Sequence, residues 1–180
     1  MEFINTSIAD VILVEPEVYS DERGLFFESF NQSLWERMHP GDDFVQDNHS
    51  RSVKHVLRGL HYQIKQAQGK LVRAVVGEIF DVAVDVRRDS QTFGRWTGVM
   101  LSAENKRQLW VPKGFAHGFL VLSDVAEVIY KATDYYAPEH ERSIIWNDPD
   151  LGIDWPLDGR PLLSKKDSSA PAFKDAEVFG

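Results

Sequence analysis

Leu71-Val72-Arg73-Ala74-Val75-Val76-Gly77-Glu78-Ile79-Phe80-Asp81-Val82-Ala83-Val84-Asp85-Val86 decides the fold. Two short runs rich in β-branched residues meet at a single glycine, and no helical spacing of apolar residues intervenes. The same composition returns at 96–101, 107–111, 118–122 and 127–131. Turn compositions separate these runs: Arg88-Asp89-Ser90, Ser102-Ala103-Glu104-Asn105, Pro112-Lys113-Gly114 and Ser123-Asp124. Many short strands at regular spacing predict an antiparallel sandwich or barrel. A length of 180 residues suits one domain, 1–180, with a sizeable core.

Upstream, Leu57-Arg58-Gly59-Leu60-His61-Tyr62-Gln63 and Gly69-Lys70-Leu71-Val72-Arg73 place two basic residues and a histidine in β-type runs. Strand side chains alternate faces, so the polar residues can line a cleft while their neighbours pack. His61 is a candidate base, because an imidazole titrates near neutrality; a packed histidine beside solvated cations accounts for the same pattern. Residues 8–15 read as a strand closed by Pro16, Ser20-Asp21-Glu22-Arg23-Gly24 as a turn, and 25–30 as an aromatic strand. Asn31 or Ser33 caps a short helix through Leu34, Trp35 and Met38, which Pro40-Gly41 ends. Phe44-Val45-Gln46-Asp47-Asn48-His49-Ser50 is polar enough to read as a loop; as a strand, its amides would line a pocket. Tyr135-Tyr136-Ala137-Pro138 ends the strand-dense region, residues 144–149 and 153–156 read as a wrap of extended segments and turns, and 164–171 as a tail or the start of a short helix.

Composition removes several function classes. Cysteine is absent, which excludes disulfides, thiolate catalysis and Cys-ligated metals. A net charge of -8 disfavours nucleic acid as a partner. Arg23, Arg51, Arg58, Lys70 and Arg73 all lie in the first half, so a local cluster for an anionic small ligand is possible. No cationic n-region opens the chain and no run is long enough to span a membrane, so a cytoplasmic location is expected.

Pro112-Lys113-Gly114-Phe115-Ala116-His117 resembles the second half of the metal motif of jelly-roll cupins. The first half is broken: His61 is followed by Tyr62 and then by Gln63, where a second histidine would stand. His61 and His117, even with Glu127, make a poor divalent-metal site. The expectation is a cupin-like barrel without the metal. Proton transfer would then rest on side chains, with His61 as base, a carboxylate orienting it, and an acid among Tyr62, Tyr130, Tyr135 and Tyr136.

Longer stretches carry a family resemblance. They are Asp21-Glu22-Arg23-Gly24 with Phe26-Phe27-Glu28, Val45 through Ser50, Leu57 through Gln63, Gln68 through Arg73, Phe80 through Asp85, and Leu101 through Asn105. Pro112 through Phe119, Tyr130 through Thr133, Trp146-Asn147-Asp148-Pro149 and Lys166-Asp167 continue the match. Together they resemble the dTDP-4-dehydrorhamnose 3,5-epimerase family over nearly the whole chain. The resemblance implies a mainly β, antiparallel jelly-roll (cupin-like) barrel with a few short helices. It implies cofactor-independent epimerisation of a dTDP-linked 4-keto-sugar at C3 and C5. The implied catalytic residues are His61 as base, Asp167 as its carboxylate partner, Tyr130 as acid on the other face and Lys70 as the cation at the enolate oxygen. Arg58, Asn48 and His117 correspond to residues around the sugar and diphosphate. Arg23, Phe26, Glu28 and Gln46 correspond to nucleotide-site residues, and Tyr135 to the aromatic near the thymine. A homodimer that exchanges N-terminal strands and shares its nucleotide sites is also implied. Single-carbon epimerases, 3,4-ketoisomerases and non-catalytic or metal-dependent cupins on the same barrel remain the alternatives.

Overall fold

A computed structural model describes residues 1–38 and 41–180. Its strands are β1 (Glu2–Asn5), β2 (Ile12–Glu15), β3 (Val18–Asp21), β4 (Gly24–Phe27), β5 (Gln46–Val53), β6 (Leu57–Gln63), β7 (Lys70–Val76), β8 (Glu78–Asp85), β9 (Trp96–Ser102), β10 (Gln108–Val111), β11 (Phe115–Val121), β12 (Val125–Ala132) and β13 (Glu141–Ser143). Two short α-helices, α1 (Gln32–Met38) and α2 (Lys165–Ser168), complete the principal elements. One sheet runs β1-β2-β10-β7-β12-β5 and the other β13-β6-β11-β8-β9, all antiparallel, while β3 and β4 form a separate ribbon. This is the expected mainly β, cupin-like jelly roll.

Alternation along the strands assigns three apolar layers. Val72, Ala74, Val111 and Val128 from the first sheet meet Ile79, Ala83, Phe119 and Val121 from the second. The outer face of the second sheet (Leu60, Tyr62, Val84, Leu120) is covered by the C-terminal wrap through Ile144, Leu151 and Trp155. The outer face of the first sheet buries Leu71 and Trp110 under Trp35 of α1. Asn31 caps that helix: its side-chain oxygen accepts the Leu34 N–H at 3.1 Å. Ser164 caps α2, accepting the Asp167 N–H at 3.0 Å.

Three expectations change. The polar run read as a loop is instead strand β5 from Gln46 onward, paired with β12 from Gln46↔Ala132 to Val53↔Val125. The predicted strand over 8–15 begins only at Ile12, because Val11 N–H bonds the Ile8 carbonyl in a turn. The aromatic strand predicted over 25–30 ends at Phe27, and residues 141–143, which carried no reading, pair with β6. The expected helix stop at Pro40 lies outside the described residues.

Candidate active site

A cavity of about 240 Å³ opens between the two sheets. The second sheet contributes Arg58 and His61 from β6 and His117 from β11; the first contributes Ser50, Lys70 and Tyr130; α2 adds Asp167. Parity alone would separate Arg58 from His61, since an odd spacing puts two strand residues on opposite faces. A bulge resolves this. His117 faces His61 and Phe119 faces Arg58, so two steps on β11 oppose three on β6. Gly59 is the extra residue. Its φ is +132°, and a Cβ there would lie 2.5 Å from Gly118 Cα, so only glycine fits.

His61 Nε2 lies 2.5 Å from Asp167 Oδ1, and the carboxylate is almost wholly buried. Burial alone would raise the Asp167 pKa; the bond to His61, the charge of His61, the Ser164 contact and Lys166 outweigh it and hold the carboxyl below its ordinary value. An ionised Asp167 can only accept, so Nε2 carries the proton and Nδ1 keeps the basic lone pair. The second buried pair, His117 Nε2 with Asp81 Oδ1 at 2.9 Å, fixes the other imidazole on the same wall.

Lys70 stands opposite. Burial pushes its ammonium down to about 8, against the raising fields of Glu141 and Asp81. Its Nζ lies 5.8 Å from the centroid of the Tyr130 ring. Burial also raises the Tyr130 phenol, with Arg58 opposing, so the hydroxyl stays protonated at neutral pH. Arg58 Nε donates to Ser52 Oγ at 3.1 Å, leaving the rest of its guanidinium toward the cavity it lines.

The other predicted residues divide into two groups. Asn48 pairs in register with Tyr130, and its Oδ1 accepts from Gln46 Nε2 at 3.0 Å, so both belong to the cavity strand β5. Tyr135 lies on the adjoining loop and is 62% exposed. Arg23 and Phe26 do not reach this cavity. They line a separate groove of about 460 Å³ on the β3–β4 ribbon, where Arg23 pairs with Asp21 and Phe26 is 72% exposed. Glu28, just beyond the ribbon, accepts from Asn31 Nδ2.

Lys166 and Glu141 carried no assigned role in the sequence reading. Lys166, beside Asp167, lines the cavity and pairs with Glu141 at 2.5 Å. Tyr136 donates to the other oxygen of Glu141 at 3.1 Å. Lys166 could have been singled out as the neighbour of Asp167; Glu141, in a segment with no strand signal, could not. A cupin metal does not fit these residues: the Gln63 amide is fully engaged with backbone, and no cluster of three or more His, Asp or Glu ligands occurs among the described residues.

Comparison with known proteins follows the same lines. A family profile described as dTDP-4-dehydrorhamnose 3,5-epimerase matches residues 5–175. The enzyme of that name from Pseudomonas aeruginosa is 65% identical over 181 residues, covering 99% of each chain. The Legionella pneumophila dTDP-6-deoxy-D-glucose-3,5-epimerase, solved in complex with dTDP-4-keto-L-rhamnose, superposes with a TM-score of 0.95 at 57% identity, covering 97% of this chain and 93% of that one. A 3'-monoepimerase from Streptomyces bikiniensis, solved with dTDP-quinovose, gives 0.89 at 39% identity, covering 94% and 87%.

Proposed function

The chain belongs to the dTDP-4-dehydrorhamnose 3,5-epimerase family, and from that premise we propose how its residues perform the reaction. It is an isomerase of dTDP-L-rhamnose biosynthesis. It inverts C3 and C5 of dTDP-4-dehydro-6-deoxy-D-glucose, giving dTDP-4-dehydro-L-rhamnose. Both carbons flank the 4-keto group, so each C–H is acidified by the carbonyl. His61 removes the proton, and Asp167 stabilises the imidazolium that forms. Negative charge develops on the keto oxygen, where the Lys70 ammonium meets it. Tyr130 returns a proton from the opposite face. General acid–base catalysis of this kind is worth ~10²–10⁴-fold, and a placed donor at the oxyanion adds a comparable factor.

One observation carries this reading: His61 comes from one sheet and Tyr130 and Lys70 from the other, across a single cavity. A sugar ring held there would present one face to each sheet. Solvent labelling of two variants tests it. In deuterated water, Tyr130→Phe should exchange label into the substrate without inversion, because His61 still removes and returns the proton on its own face. His61→Asn should take up no label. Inversion by Tyr130→Phe at the unmodified rate, or exchange by His61→Asn, contradicts the assignment.

The nucleotide end calls for a second subunit. Lys70, Val72 and Ala74 face inward on β7, so Arg73 faces outward. The Arg73 guanidinium lies 5.7 Å from the Phe27 ring centroid, and the ribbon therefore rests on the outside of the sheet. Arg23 and Phe26 lie on the far side of that sheet from their own chain's cavity. A homodimer exchanging these strands would deliver them to the partner's cavity. We propose the cytoplasm as the setting of this reaction. No helix among the described residues is long and apolar enough to cross a membrane.

A further inference from the structure

We infer that Gln63 is a positioning residue for the nucleotide end of the substrate, acting through the loop 133–137; this rests on the epimerase reading above. Gln63 is 4% exposed at the end of β6, two residues past the base. Its amide is wholly committed. Nε2 donates to the Gln66 carbonyl at 2.7 Å and the Tyr135 carbonyl at 3.2 Å, while Oε1 accepts the Ala137 N–H at 2.9 Å. One side chain therefore spans the carbonyl before Tyr136 and the N–H after it.

The loop so held touches both ends of the site. Tyr136 N–H bonds Gln46 Oε1 at 3.0 Å, and Gln46 in turn bonds Asn48. Tyr136 OH bonds Glu141, the partner of Lys166. Tyr135, the aromatic expected near the thymine, has an exposed ring but an anchored backbone. A loop fixed before binding loses less conformational freedom on binding, which raises affinity without altering the chemical step. Gln63 stands where a cupin would place its second metal-binding histidine. In this chain the inward position serves the loop instead.

The test uses the full-length protein and dTDP as probe. Gln63→Ala, and the volume-conserving Gln63→Met, should raise the dTDP Kd and the substrate KM on the order of tenfold, with kcat within about twofold. Hydrogen exchange at the Ala137 amide should accelerate in both variants. Combined with Tyr135→Ala, the losses in affinity should be smaller than the product of the single losses, because both changes act through one loop. A fall in kcat with KM and Kd unchanged would place Gln63 in the chemistry and overturn the inference. So would unaltered exchange at Ala137, or fully multiplicative losses. Wild-type protein with no affinity for dTDP would instead overturn the functional reading beneath it.

Discussion

His61 and Asp167 are 106 positions apart in the chain yet share a 2.5 Å contact. Spacing alone selects neither the carboxylate nor its role; the family resemblance named Asp167, and the capped turn of α2 explains how it is delivered. Asp167→Asn should lower kcat by ~10²-fold while leaving KM within a few-fold, because the base loses its orientation and its charge partner but the substrate contacts remain. Lys70 predicts the pH dependence. Its ammonium titrates near 8, so kcat should fall as pH rises through about 8, and the raised Tyr130 phenol leaves that limb to Lys70 alone. The stability consequence has the opposite sign. A lysine whose folded pKa is depressed weakens the fold while charged, and the penalty is relieved as pH climbs from about 8 toward the ordinary lysine value. Lys70→Met should therefore raise Tm at neutral pH while cutting turnover at least ~10²-fold. Asp167 behaves conversely: its pKa is lowered, so its contribution is complete at neutral pH and disappears as pH falls through the folded value.

Among the elements, β5 shows why part of the site was illegible. Its inward residues Gln46, Asn48, Ser50 and Ser52 face the cavity region, and its outward Asp47, His49 and Arg51 meet solvent, Lys131 and Glu127. Neither face carries an apolar stripe, so the period-two signal vanishes and composition suggests a loop. Pairing with β12 supplies the specification that the residues lack. The runs 71–76 and 78–86 behaved oppositely, because Leu71, Val72, Ala74, Ile79, Val82, Ala83, Val84 and Val86 supply buried apolar faces. The β6 bulge is the other element-scale feature. Gly59→Ala would put a Cβ against Gly118 and force an unfavourable φ, costing ~3 kcal/mol in chemical denaturation. It should also depress kcat, since Arg58 and His61 share the cavity only through that extra residue. Wild-type stability in Gly59→Ala would show that the strand accommodates the change elsewhere.

At the scale of the molecule, regular strand spacing was enough to read the sandwich, and an aromatic-rich tail was enough to suggest a wrap. What spacing could not supply was the order of strands in each sheet, and with it the meeting of His61, Lys70 and Tyr130 across one gap. The ribbon poses the remaining whole-molecule question. Sedimentation should find a dimer, and Arg23→Ala should raise KM about tenfold with kcat little changed, since it would act on the nucleotide from the neighbouring subunit. The measurement that bears most directly on the account is the positional deuterium content of substrate and product after turnover by the wild-type enzyme in deuterated water. One cavity with a base and an acid on opposing walls, beside a ketone with two acidic neighbours, predicts label at both C3 and C5. Label at a single carbon, or none, would contradict it.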